Sequence, residues 1–117
     1  MYVALLYVAL CLLHLLPQSA TWACRKVIES SGVDPNRIGI ICNTSVWRDY
    51  LEPGMAVCIQ HELGLPASCI NMDVTNACVG MVNGMLTVAT MIEAGVVDYA
   101  LVVDAECAEV GRICAHG

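Results

Sequence analysis

The chain has 117 residues, a net charge of −6 and 58% hydrophobic against only 14% charged residues. That balance allows a buried core and argues against disorder. Five Lys and Arg against eleven Asp and Glu leave no basic patch for a phosphate backbone, so no nucleic-acid partner is expected. A domain of this length keeps a large solvated surface, and so few charges cover it poorly. Either a partner buries much of that surface, or the sequence is part of a larger unit.

Met1 to Leu16 is almost wholly apolar and is followed by Pro17. The run is shorter than the roughly 20 residues of a membrane-spanning helix, so stable membrane insertion is not expected. It fits a signal-peptide core with Gln18-Ser19-Ala20 as a cleavage zone, but no Lys or Arg occurs before Arg25. The alternatives are a gene-start artefact or a strand-like segment of a larger core. Residues 1–19 are therefore set apart as a leader, and residues 20–117 are read as one incomplete domain.

Ala20 to Ser31 has helical spacing, with Ala20, Ala23, Val27 and Ile28 on one face and Gly32 as its stop. After the turn at Asp34-Pro35-Asn36, Ile38 to Cys42 is a short apolar run typical of a strand buried on both faces. Asn43 to Glu52 is polar and irregular. Pro53 suits the first position of a helix running to about Leu63. Cys69 to Val74 reads as a second strand, Val79 to Ala94 as a helix ended by Gly95, and Tyr99 to Asp104 as a third strand. Alternating strands and helices with short links imply α/β structure with a mostly parallel sheet. The helix from Val79 is apolar nearly all round, which predicts a central helix buried between layers. Its Gly80 and Gly84 predict close backbone packing.

Eight cysteines raise the question of disulfides or metal. No C-x-x-C and no zinc-finger spacing of Cys and His occurs, so no metal site is expected. Cys24, Cys42, Cys58 and Cys69 fall in predicted helices and strands, as reduced core cysteines do. A reduced, cytoplasmic chain is expected.

Cys78 is different. It falls where the second strand has ended and the apolar helix begins, in Asp73-Val-Thr-Asn-Ala-Cys78-Val-Gly80. Free N–H groups and the positive end of a helix favour thiolate, the nucleophilic form, and can hold an oxyanion. Gly80 would keep bulk out of the approach path, as in a nucleophile elbow. Position alone, with seven other cysteines in the chain, favours a buried cysteine that happens to start a helix.

The Cys78 segment, the apolar helix after it and the strand Tyr99-Ala-Leu-Val-Val-Asp104 together resemble the nucleophile region of the thiolase superfamily, nearest its 3-oxoacyl-ACP synthase III group. Asn43-Thr-Ser-Val-Trp-Arg-Asp-Tyr-Leu-Glu-Pro53 resembles a narrower branch, the enzymes that condense two acyl-CoA chains head to head in olefin and β-lactone biosynthesis. The resemblance covers about Ala20 to Ala105. It implies a thiolase-like fold, of which this chain is the N-terminal half of a layered αβαβα architecture. It also implies that Cys78 takes the first acyl group as a thioester. Glu52 matches a glutamate that reaches the partner subunit's site as the base for the second acyl-CoA. The substrates implied are acyl-CoA or acyl-ACP thioesters, the complete protein a homodimer, and no cofactor is required. Arg48 and Asp49 are expected to pair with each other or shape the dimer contact.

The family's catalytic His and Asn lie in a second half of the subunit, and nothing here matches them. His14 is in the leader, His61 is expected on a helix surface, and His116 is next to last. Acylation without completed condensation is therefore the expected behaviour of this chain alone. An initiating synthase using malonyl-ACP, a secreted cysteine-rich structural protein and a non-catalytic subunit pairing with a full-length relative remain the alternatives.

Overall fold

The structure is a computed structural model that describes residues 3–11, 16–49 and 51–107, with side chains for 18–49 and 51–106. Its elements run β1 (Val3–Cys11), α1 (Leu16–Ser31), a short 3-10 turn (Pro35–Arg37), β2 (Ile38–Asn43), α2 (Met55–Leu63), β3 (Ile70–Asp73), α3 (Gly80–Glu93) and β4 (Tyr99–Cys107). The four strands form one parallel sheet in the order β1-β4-β2-β3.

Strand side chains alternate between two cores, as the two-residue period of a strand requires. Ile41, Leu101, Val103 and Ala105 meet Ala20, Cys24 and Val27 of α1 and Ala56 and Ile59 of α2. On the opposite face, Ile40, Cys42, Ala100 and Val102 meet Val88 and Ile92 of α3. β2 and β4 are thus covered on both sides, which explains their unbroken apolar sequences. β3 lies at the edge, and its Ile70 and Asn71 are exposed.

Val3–Cys11 pairs along β4 as a strand, the strand-like alternative given for the leader, from Val3 opposite Tyr99 to Cys11 opposite Cys107. Other bounds differ from the expected ones. α1 starts at Leu16, so the division after residue 19 falls inside a helix. Pro17 does not stop that helix; in a first turn its missing N–H has no intrahelical partner to lose. β4 continues past Asp104 to Cys107. His14, Cys114 and His116 lie outside the described residues. No helix among the described residues is long and apolar enough to cross a membrane.

The burial expected of α3 is met on one side only. Gly80, Gly84, Val88 and Ile92 form a stripe at four-residue spacing against the sheet. Val82 and Leu86, on the other side, are 51% and 62% exposed. The described residues supply one sheet and no layer beyond α3. Schellman turns close α2 and α3, as their glycines predict: Gly95 N–H reaches Ile92 O and Val96 N–H reaches Met91 O, at 2.9 and 3.0 Å.

Candidate active site

β2 and β3 are neighbours in the parallel sheet, and the loops leaving their C-terminal ends carry Glu52 and Cys78. Open parallel sheets present ligand sites at this edge. Loop 74–79 is held from several directions. Val74 N–H donates to Asn43 O at 2.9 Å. Arg48 donates to Thr75 Oγ1, and Thr75 Oγ1 donates to Ser45 O at 3.4 Å. Asn76 Nδ2 donates to Asn83 Oδ1 on α3 at 2.7 Å.

The turn into α3 is tight. Val79 N–H reaches Asn76 O and Gly80 N–H reaches Ala77 O, both at 3.0 Å. Ala77 has a φ of +43°, a left-handed conformation that a residue with a Cβ adopts at a cost. A sharp strand-turn-helix connection with a strained residue beside an exposed cysteine is the geometry of an elbow. The α3 N-terminus has no side-chain cap and no acidic residue in its first turn.

Gly80 serves a different purpose from the one expected. It is buried, and a Cβ there would lie 3.0 Å from Thr44 O and 3.3 Å from Val74 O. The missing side chain lets α3 start hard against the end of β2; it does not clear a path to the thiol.

Cys78 stands apart from the other described cysteines. All five with described side chains are free: Cys24, Cys42 and Cys69 are buried, Cys58 is half-buried and Cys78 is exposed. Burial pushes the Cys24 thiol up to about 12. Burial, aided by the negative charge of Asp73, pushes Cys42 up to about 11. Burial also raises Cys69, against a hydrogen bond to Ile41 that lowers it. Such thiols are inert core residues.

Glu52 is exposed, and the peptide joining it to Pro53 is cis. Pro53 is not the first residue of α2, which starts at Met55 after Gly54. The start is set from across the sheet. The Asp73 carboxylate at the end of β3 accepts from Met55 N–H at 2.8 Å and Ala56 N–H at 2.9 Å. A carboxylate at a helix N-terminus satisfies orphan donors and the helix dipole together. At the other end of the loop, Glu106 accepts from Val46 N–H at 2.6 Å and Trp47 N–H at 3.4 Å. Arg48 bonds to Thr75, and the described residues contain no Arg48–Asp49 ion pair. His61 is exposed on α2, as expected.

Sequence reasoning missed Asp73, Thr44 and Glu106. Thr44 is fully buried and binds Val103 O and Asp104 Oδ2, each at 3.2 Å. A carboxylate closing the strand was the available signal for Asp73. Among the described residues, no group of three or more His, Cys, Asp or Glu could hold a metal.

No protein-family model matches the chain. It is 47% identical over 90 residues to an acyl-CoA:acyl-CoA alkyltransferase of Xanthomonas campestris, covering 77% of this chain and 27% of that protein. It is 38% identical over 87 residues to a beta-ketoacyl-[acyl-carrier-protein] synthase III of Novosphingobium aromaticivorans, covering 74% of this chain and 26% of that one. Xanthomonas campestris OleA superposes with a TM-score of 0.78 at 43% identity, over 81% of this chain and 29% of OleA. The chain therefore spans about a quarter of the length of the curated relatives it matches. At these identities the chain belongs to the thiolase superfamily, as a homologue of OleA and 3-oxoacyl-ACP synthase III.

Proposed function

We propose that this chain is the nucleophile-bearing part of an acyl-thioester condensing enzyme, with Cys78 as the acceptor of the first acyl group. The observation that carries the reading is the thiol at the turn between β3 and α3, the only exposed one among the described residues, where Cys24, Cys42 and Cys69 are buried. The Cys78 thiolate attacks the carbonyl carbon of an acyl-CoA, the bond from that carbon to the CoA sulfur breaks, and CoA leaves as a thiol after taking up a proton. The Cys78 backbone N–H is our candidate contributor to the oxyanion hole.

In the complete enzyme, a base removes the α-proton of a second acyl-CoA. The resulting carbanion attacks the Cys78 thioester, and Cys78 leaves with the bonding pair to give a β-keto thioester. Glu52 is our candidate base, acting in the partner subunit's site of a homodimer. OleA structures include variants with a glutamate replaced and, with bound lauroyl-CoA, one with a cysteine replaced by serine. Those two positions are separated in OleA by the same length of chain as Glu52 and Cys78 here, which supports both assignments. The chemistry uses acyl-CoA or acyl-ACP thioesters with no added cofactor, and suits a reduced, cytoplasmic protein. The resemblance of Asn43 to Pro53 to the head-to-head branch supports two acyl-CoA substrates over malonyl-ACP.

Incubation with lauroyl-CoA followed by intact-mass and peptide analysis tests the first step. A lauroyl adduct on Cys78, absent from Cys78→Ala, is expected. A chain that stays unmodified where a full-length relative acylates would refute the reading.

A further inference from the structure

Loop 44–54, which carries Glu52, and loop 74–79, which carries Cys78, are joined through Asp73. Its carboxylate takes the first two N–H groups of α2, and its own backbone ends β3, where the next residue, Val74, bonds to Asn43 O. Gly54 confirms how closely the carboxylate is seated: a Cβ there would lie 2.9 Å from Asp73 Oδ2. Arg48 adds a second tie to Thr75, two residues beyond Asp73. We propose that Asp73 is a positioning residue for the Cys78 site, the clamp that fixes the nucleophile loop against the Glu52 loop.

The proposal rests on the reading of Cys78 as nucleophile. The N-terminus of α2 is anchored in the sheet by Met55, Ala56 and Ile59, which are all buried. Asp73, held there, cannot swing with loop 74–79, so strain at Ala77 is borne between two fixed points: the Asp73 clamp, and the seating of Gly80 on Thr44 O. Without the carboxylate, the left-handed turn can relax and carry the thiol away from the start of α3. The end of α2 and the loop it follows would loosen at the same time.

The test compares the full chain with Asp73→Asn, Gly54→Ala and the double variant. Three readouts are taken: thermal unfolding, alkylation of Cys78 by iodoacetamide followed by peptide mass analysis, and acylation by lauroyl-CoA. Each single variant is expected to slow Cys78 alkylation about tenfold in the folded protein, because the loop no longer holds the thiol at the positive end of α3. The double variant should be no slower than either single one, because both break the same clamp.

A carboxylate acting only as a helix cap would lower the unfolding temperature and leave the alkylation rate unchanged. One acting only through its charge would make Asp73→Asn faster, since a nearby negative charge disfavours a thiolate. Either result, or additive losses in the double variant, overturns the proposal. Should Asp73→Asn fail to fold, Gly54→Ala reads the same clamp from the other side. Slower alkylation in a protein that lauroyl-CoA never acylates would sink the functional reading and leave the clamp standing.

Discussion

Gly84 lies directly over Thr44: a Cβ on Gly84 would come within 2.5 Å of Thr44 Cγ2 and 3.1 Å of Cys42 Sγ. Thr44 cannot move aside, because its hydroxyl is bonded to Val103 O and Asp104 Oδ2. Gly84→Ala should therefore cost about 2–3 kcal/mol in urea unfolding, despite the higher helix propensity of alanine. A stabilised or unchanged variant would mean that α3 stands further from β2 than this geometry requires.

The same contact settles why the two glycines of α3 stand four residues apart. Both face the sheet, so the small-residue stripe serves packing of a helix on strands. The opposite stripe, with Val82 and Leu86, faces outward. Truncation should then have very unequal effects on the two sides. Ile92→Ala, in the core, is expected to cost about 2–5 kcal/mol, whereas Leu86→Ala should change stability by less than about 0.5 kcal/mol. Urea midpoints at two protein concentrations check this. A Leu86→Ala loss as large as that of Ile92→Ala, and growing with protein concentration, would show the outer stripe covered by a second copy.

Much of this architecture was legible in the residues themselves. Continuous apolar runs at Ile38–Cys42 and Tyr99–Asp104 announced strands covered on both faces, and Gly32, Gly64 and Gly95, each with φ near +70°, ended the three helices. What escaped was nonlocal. The start of α2 looked like a proline-led helix because Pro53 is local information, whereas its real cap, Asp73, comes from a strand that follows α2 in sequence. Sequence proximity ties Gly80 to Cys78, yet its contact is with Thr44, just past the end of β2. Glu52 and Cys78 could be picked out as types, but the bonds that tie their loops together depend on β2 and β3 being adjacent.

Glu106 gives the fold a pH dependence. Burial, above the repulsion from nearby Asp104, holds its carboxyl above the usual glutamate range, against the pull of the Val46 and Trp47 N–H groups. The folded state thus binds this proton more tightly than the unfolded chain does. Its contribution is fully present below the ordinary glutamate range and is lost as pH rises through the raised value. Urea midpoints of the wild type relative to Glu106→Gln should fall as pH rises above about 4, the ordinary glutamate value. A difference that stays flat, or rises with pH, would place Glu106 in an environment unlike the one described.

Thiol chemistry gives the sharpest check on the site, because burial sorts the cysteines into classes that one reagent can read. At about pH 8 a thiol raised to about 12 or about 11 is almost wholly protonated as well as shielded, whereas Cys78 is open to the reagent. Cys78 should therefore be labelled by iodoacetamide at least about a hundredfold faster than Cys24 or Cys42 in the native protein. In urea the three should converge, since unfolding removes both burial and shielding. Peptide mapping of a short pulse reads each site separately, with Cys58 expected between the extremes because it is half-buried. Cys78→Ser should remove the fast site and leave the slow ones untouched. If Cys24 or Cys42 were labelled as fast as Cys78 before unfolding, the two cores around β2 would be open to solvent. The case for Cys78 as the reactive thiol would then lose its main support, since that case rests on the contrast between one exposed sulfur and its buried neighbours.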